Sequence, residues 1–264
     1  MQNYLNLVER IITKGEPRND RTGVGTLAVF GANLEFDLSA RFPLVTAKET
    51  RWRTAFLEML WFLRGDGSIK WLNERGSKLW DAWANKHGLL GPIYGAQWRD
   101  WNGNGIDQVH ELINSLRTSP DGRRHLVTAW NVGELHEMAL PPCHWAHQCF
   151  VHNDGRLDLK LFLRSSDVAL GLPFNIAQYA LLCHLYARAA DLKPGRLLVD
   201  IGDAHLYSDH VEPMKRVLHD GPVWGDGAQL VINTGNTDID GYDISDFQID
   251  DYHPRPFVKL EVAV

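Results

Sequence analysis

Residues 147–165 read HQCFVHNDGRLDLKLFLRS. On both sides of HNDG, apolar and polar residues alternate with the period of two that sends successive side chains to opposite faces of a strand. HNDG itself is made of turn formers ending in glycine, so the stretch predicts a β-hairpin, 147–154 against 156–165. Just downstream, NIAQYALLCHLYARAADL (175–192) is long, largely apolar and closed by KPG, which predicts a buried helix.

Working outward, HLVTAWNV (125–132) and RLLVDIGDAHLY (196–207) have strand composition, and TLAVFGANLEFDL (26–38) alternates like another hairpin. Apolar residues Leu5, Val8, Ile11 and Ile12 before Gly15 predict an opening amphipathic helix. Further helices are predicted over 53–63, which contains Glu58, over 107–118, ended by SPDG, and over 207–219. Strands and helices come in runs without regular βαβ alternation, and no repeat, linker or low-complexity tract interrupts them. A single α+β domain over 1–264 is the expected architecture.

Bulk composition narrows the function. The 264 residues are 44% hydrophobic and 23% charged, an ordinary globular balance. A net charge of −6 argues against general nucleic-acid binding but leaves room for a local anion site built from a few arginines. No apolar run approaches a membrane span, and residues 1–10 carry no secretory core, so no membrane partner is expected. Three cysteines without a signal segment point to free thiols in a reducing, cytoplasmic setting. Six of the ten tryptophans (Trp52, Trp61, Trp71, Trp80, Trp83 and Trp98) fall between residues 50 and 100, as core filling or as the walls of a flat ligand site.

The strand of the hairpin is preceded by LPPCHWAHQCFV (140–151), two cysteines and two histidines after a double proline. As a zinc site it lacks a fourth ligand and any CxxC or HExxH spacing, and no metal is expected. As a redox pair, Cys143 and Cys149 have the wrong spacing. As a nucleophile, Cys143 needs a neighbouring cation, and Arg164 at the end of the paired strand is the candidate. Read alone, a plain buried cysteine is the ordinary alternative.

The motifs ALPPCH (139–144), LRSSDVALGLPFNIAQYALL (163–182) and GDAHLYSDH (202–210) decide between these readings. With NDRTGVGT (19–26), EMLWFLRGD (58–66), LWDAW (79–83), GPIYGAQWR (91–99) and DGRRHLVTAWNV (121–132), they resemble thymidylate synthases in order and spacing from the first helix to the last residue. The resemblance implies the thymidylate-synthase fold: a large mixed β-sheet flanked by helices, with one sheet face forming a homodimer interface. It implies transfer of a one-carbon unit from 5,10-methylenetetrahydrofolate, a co-substrate, to C5 of dUMP. The products are dTMP and dihydrofolate, made in the cytosol of a bacterium or a phage-infected host.

By the same resemblance, Cys143 is the thiolate that adds to C6 of the base, and Arg164 supports its ionisation while contacting phosphate. Arg21 and Ser165 are further phosphate ligands, and Arg123 and Arg124 are donated by the partner subunit; forked guanidinium donors suit phosphate. Asn175 reads uracil, because one amide donates to O4 and accepts from N3–H, whereas cytosine reverses both groups. His205 and Tyr207 hold the ribose 3′ hydroxyl. Glu58 and Tyr94 handle protons, the carboxyl with a pKa raised by burial in FLEMLWF. Leu79, Trp80, Trp83, Asp167, Gly171 and Phe174 form the pterin and aminobenzoyl pocket, with Asp167 also beside the nucleotide. Lys48 lies near the glutamate tail, and Val264 helps close the site.

Several residues depart from the family pattern: Trp145, His147 and Cys149 in a normally aromatic and apolar strand, Ala169, Glu49, Ile201 and Glu261. A pocket altered at these positions that admitted water in place of hydride would give the alternative product, hydroxymethyl-dUMP, as a phage-type hydroxymethylase does. A cytosine-directed enzyme is less consistent with Asn175. An idle, RNA-binding homologue is the third reading, although Cys143, Glu58, Tyr94, Asn175 and the arginines are all retained.

Overall fold

The computed structural model describes residues 1–223, 225 and 227–263; the expectation for Val264 therefore lies outside the described residues. The chain opens with helix α1 (Gln2–Lys14), which buries Tyr4, Leu5, Leu7, Val8 and Ile11 along one stripe. Strands β1 (Glu16–Arg18) and β2 (Thr26–Asp37) follow. The hairpin expected at 26–38 is instead one continuous strand. FGAN looks like a turn, and Gly31 does take a positive φ of 78°. Yet Ala28, Ala32, Leu34 and Phe36 keep their inward phase across it, and one partner strand pairs with residues 26–37 in a single register.

Helices α2 (Trp52–Leu63), α3 (Lys70–Glu74), α4 (Gly95–Arg99) and α5 (Gln108–Thr118) come next. Strand β3 covers only Leu126–Thr128 of the expected 125–132, because Asn131 turns back to bond the Ala129 carbonyl. Strands β4 (His144–Val151) and β5 (Arg156–Asp167) form the predicted hairpin. His152 N–H bonds the Arg156 carbonyl at 2.8 Å across that turn, with Gly155 at φ 80°. Helix α6 (Gly171–Ala189) starts four residues ahead of expectation, at the end of a turn where Asp167 Oδ1 accepts the amides of Ala169 and Leu170. Strand β6 (Lys193–Tyr207), helix α7 (Val211–Asp220) and a small ladder of β7 (Gln229–Ile232) with β8 (Phe247–Asp250) complete the fold.

The main sheet has six strands in the order β1-β2-β6-β5-β4-β3, and only β5 and β6 run parallel. Joining parallel neighbours requires a crossover, and α6 supplies it. Leu157, Leu159, Leu161 and Leu163 of β5, with Leu197, Val199 and Ile201 of β6, point to the helical side and are buried. Against them lies α6, apolar on all sides as a central helix must be, packed with α2. Among the described residues, the opposite sheet face carries no such cover. Phe150 is 60% exposed there, Leu126 and Trp145 are also exposed, and a Lys160–Asp200 ion pair of 2.7 Å lies among them.

A bulge interrupts the β4–β5 register between His144 and Ala146. It falls immediately after Cys143.

Candidate active site

Cys143 is held in place by its own turn. Arg164 donates from Nε to the Pro142 carbonyl at 2.9 Å and from Nη2 to the Pro141 carbonyl at 2.8 Å. Its backbone N–H bonds the Cys143 carbonyl at 2.9 Å. The same Nη2 lies 3.6 Å from Cys143 Sγ, and the guanidinium carbon lies 5.7 Å from the Trp130 ring centre. Proline carbonyls that donate nothing themselves thus aim the arginine at the sulfur. Burial pushes the Cys143 thiol above its ordinary value, and the Arg164 charge pulls it back only part of the way. In the free protein the thiol form is favoured at neutral pH.

Tyr94 reaches this turn from the other side. Its phenol oxygen accepts the Cys143 amide hydrogen at 3.0 Å, and its ring stacks on His144 with centroids 4.0 Å apart. The backbone at Tyr94 has φ 30°, a sparsely populated conformation that costs about 1–3 kcal/mol. Gly95 follows, where any Cβ would overlap the Phe62 carbonyl, so the GPIYG turn can press directly against α2. His144 in turn meets the Tyr179 hydroxyl through Nδ1 at 2.8 Å. Desolvation lowers the His144 pKa to about 3, so its ring stays neutral.

Glu58 lies on the α2 face turned toward α6. Trp80 Nε1 donates to Oε1 at 2.6 Å, and Gln178 Nε2 donates to Oε2 at 2.5 Å. Burial raises the carboxyl to about 7, although both hydrogen bonds oppose the shift. Gln178 accepts from Asn175 Nδ2 at 3.2 Å. One relay therefore runs from the exposed end of α6 at Asn175, through Gln178, to Glu58 and Trp80.

Trp80 packs edgewise on Trp83 at 5.6 Å and on Tyr94 at 5.9 Å, forming an aromatic wall beside this relay. Trp83, Leu79 and Phe174 are half-buried, and a Cβ at Gly171 would meet only the Asp167 side chain, at 3.9 Å. A wall of half-exposed rings beside a glycine-lined opening fits a flat aromatic ligand such as a pterin. Lys48 is only 4% exposed, and burial lowers its pKa to about 8, with the Asp167 carboxylate pulling the other way.

Asp167, His205 and Ala28 lie in register across β5, β6 and β2, and Tyr207 pairs with Thr26. His205 Nδ1 meets Asp203 Oδ1 at 2.8 Å. Arg21 is exposed in a loop that Asp20 braces through the Thr22 and Gly25 amides. Burial and the Asp167 and Asp20 carboxylates raise the Tyr207 phenol, with Arg21 opposing. Asp167, Tyr207 and Thr26 stand together at the ends of their strands, and Ser208 N–H bonds the Gly25 carbonyl at 3.0 Å, so these elements border one mouth. Ser165 stands on β5 one residue beyond Arg164, opposite Asp203.

Arg123 and Arg124 are not brought to this mouth. Both are exposed between α5 and β3, and the Arg123 carbonyl accepts from Gln148 at 3.4 Å. Gln148 is about 16 Å along β4 from Cys143, at a strand rise of roughly 3.3 Å per residue. Arg123 instead borders a depression of about 690 Å³ on the uncovered sheet face, together with Phe150, Lys160 and Arg196.

The unusual residues also have definite places. His147 is buried, bonds the Tyr186 hydroxyl through Nε2 at 3.0 Å, and packs on Trp98. Cys149, Ala169 and Ile201 are core residues. The Glu261 side chain pairs with Lys259 at 3.2 Å in solvent. His144 and His147 are thus occupied by tyrosines, and no group with metal-ligand spacing among the described residues includes Cys143. Gln178, Tyr179 and His210 were missed from the sequence. Only Gln178 carried a signal, its spacing of three from Asn175 on a helix.

The sequence that builds this site has counterparts among known proteins. The family model described as thymidylate synthase matches residues 2–264. The thymidylate synthases of Coxiella burnetii strains Dugway 5J108-111, RSA 331 / Henzerling II and RSA 493 / Nine Mile phase I are each 47% identical over 267 residues. Each match covers 100% of both chains. This chain belongs to the thymidylate synthase family. No described helix is long and apolar enough to cross a membrane.

Proposed function

We infer that the protein is a methyltransferase that converts dUMP to dTMP, as its family membership implies. The observation that carries the chemistry is Cys143 Sγ at 3.6 Å from Arg164, with Tyr94 and Trp80 linking the Cys143 turn to Glu58 of the Asn175–Gln178–Glu58 relay. The folate co-substrate supplies the one-carbon unit and the hydride. All other roles fall to residues of this chain.

Cys143 adds to C6 of the uracil, making C5 nucleophilic, and the C6–S bond breaks again by elimination once the one-carbon unit is in place at C5, returning the thiolate. Because its thiol is raised in the free protein, ionisation accompanies substrate binding, aided by Arg164. Arg21, Arg164 and Ser165 take the phosphate, and His205 and Tyr207 take the ribose. Asn175, whose Nδ2 also donates to Gln178, pairs with uracil. Glu58, with a pKa of about 7, exchanges protons near O4. Tyr94, steadied by His144, removes the C5 proton. Leu79, Trp80, Trp83, Asp167, Gly171 and Phe174 form the wall for the folate, with Lys48 farther in and Val264 closing over it.

The working unit is a homodimer joined through the open face of the sheet, in a chain that forms one catalytic domain over 1–264 and acts in the cytoplasm. Exposed Phe150, Leu126 and Trp145 on that face, with Arg123 beside them, support this reading. Arg123 and Arg124 then complete the phosphate site of the partner.

Water in place of hydride is not favoured. His147 and Cys149 face the core, and the Glu261 carboxylate faces solvent, so neither opens the pocket. Incubation with dUMP and methylenetetrahydrofolate tests the reading directly. dTMP with equimolar dihydrofolate supports it, whereas hydroxymethyl-dUMP without dihydrofolate overturns it.

A further inference from the structure

His210 ends a short turn (Ser208–His210) between β6 and α7 and is 1% exposed. Its Nε2 lies 2.8 Å from the backbone carbonyl of Glu261. Its Nδ1 lies 3.9 Å from Asp167 Oδ1, buried and without a hydrogen-bond partner. The ring also packs edgewise on Tyr207, centroids 5.6 Å apart. One side chain thus touches the 257–263 segment, the carboxylate at the folate side and the tyrosine at the sugar side.

The course of that segment gives the contact its meaning. Before reaching His210, the chain is tied to the 45–50 loop that bears Lys48. Tyr252 Oη donates to the Val45 carbonyl at 2.8 Å and accepts the Thr50 amide at 2.7 Å, and Arg255 N–H bonds the Thr46 carbonyl at 2.9 Å. Phe257 then lies 4.3 Å beneath the Arg51 guanidinium. His210 is the next polar hold along the segment, through the Glu261 carbonyl.

We propose that His210 is a positioning residue that anchors the 257–263 segment and couples its seating to ligand binding at Asp167. A carbonyl only accepts, so Nε2 carries the hydrogen that meets Glu261. In the neutral ring Nδ1 is then an acceptor facing a carboxylate, which also only accepts. The pair is complete when a ligand N–H enters the gap as donor. Asp209, with Oδ1 3.8 Å from Nε2, is the other charged group beside the ring. A ligand that supplies the donor rigidifies the ring, and the ring holds the segment, so binding and seating reinforce each other.

This coupling rests on the folate reading, so the test separates the two. In the free protein, amide hydrogen exchange over 257–263 is compared between wild type and His210→Ala, and at least about tenfold faster exchange is expected once the anchor is lost. In turnover, the KM for methylenetetrahydrofolate rises about tenfold while dUMP affinity stays within about twofold. His210→Gln, which keeps a donor near Nε2, restores slow exchange, and His210→Asn does not; these two decide if the alanine variant fails to fold. Unchanged exchange in His210→Ala, equal exchange in the Gln and Asn variants, or parallel loss of folate and dUMP binding overturns the anchor. If wild type forms no dTMP, the functional reading fails, and the free-protein exchange still decides whether His210 holds the segment.

Discussion

The Tyr94 phenol oxygen accepts the Cys143 amide hydrogen at 3.0 Å while the Tyr94 ring lies flat on His144, 4.0 Å between centroids. The oxygen is thereby fixed beside the nucleophile, where it can take the C5 proton as its own hydrogen is passed on. Tyr94→Phe keeps the ring and the stack but removes the oxygen. Its kcat is expected to fall about 10²–10⁴-fold, the range for a lost proton-transfer group, with dUMP affinity nearly unchanged. Steady-state kinetics with calorimetric dUMP binding checks this; an equal loss in both would make Tyr94 a binding residue.

Glu58 imposes a definite pH signature on stability. Its carboxyl titrates near 4.5 when unfolded and near 7 when folded. The folded state therefore binds more protons between these values, and this stabilising contribution, complete below about pH 4.5, is lost as pH rises through 7. Glu58→Gln removes the dependence, so the variant gains about 3 kcal/mol on wild type between pH 4.5 and 7, an upper bound. Urea unfolding at several pH values measures the difference. It must be read as a difference, because His144 and His147, both lowered to about 3 by burial, give the opposite slope below pH 6.5.

Asn175→Asp reaches further than the base. An unprotonated carboxylate at 175 cannot donate to Gln178, so the Gln178 amide turns to donate toward it and abandons Glu58. The variant is expected to lose about 10²–10³-fold in kcat/KM for dUMP and to gain relative activity toward dCMP. It should also shift the pH profile of the remaining dUMP activity. An unchanged dUMP/dCMP ratio would contradict the base-reading role.

The three thiols differ in accessibility. Cys149 and Cys183 are buried and pushed far up, whereas Cys143 is half-buried and only partly relieved by Arg164. Iodoacetamide should label Cys143 alone, slowly at pH 7 and faster toward pH 9. Peptide mapping by mass reads the site, and bound dUMP should block it. Cys143→Ala abolishes turnover.

Subunit sharing is testable by mixing inactive chains. Arg123→Ala/Arg124→Ala chains re-associated with Cys143→Ala chains form heterodimers with one intact site, recovering about a quarter of wild-type activity. Phe150→Asp, which charges the open face, should shift the protein toward monomer by sedimentation and weaken dUMP binding with it. No recovery on mixing would place the arginines within their own subunit.

Elements with a strong local period were legible in the sequence. The 147–165 hairpin and the long helix after it follow from alternation, HNDG and an apolar run, and both are present within a few residues. The strand at 26–38 was misread because Gly31 and Asn33 resemble a turn, while the partner that keeps the strand straight lies some 170 residues away. The β7–β8 ladder is too short to carry a period. At the site, Cys143, Glu58 and Asn175 were named on motif, but the groups that hold them were not. Gln178 meets Glu58 across 120 residues of chain, and Tyr179 meets His144 across 35. Such pairings belong to packing rather than to local spacing. His210 looked like one more residue of a helix start, because its partner Glu261 is 51 residues on.

The bulge at Trp145 divides β4 into two stretches with separate obligations. Ahead of it, Cys143 and His144 answer to Arg164, Tyr94 and Tyr179; beyond it, Ala146, His147 and Cys149 answer to the interior around Trp98 and Tyr186. A register defect therefore lets one strand serve two masters, the reacting turn and the interior, with Tyr179 as the joint between them: its hydroxyl meets His144 at 2.8 Å and its ring packs on His147 at 5.6 Å.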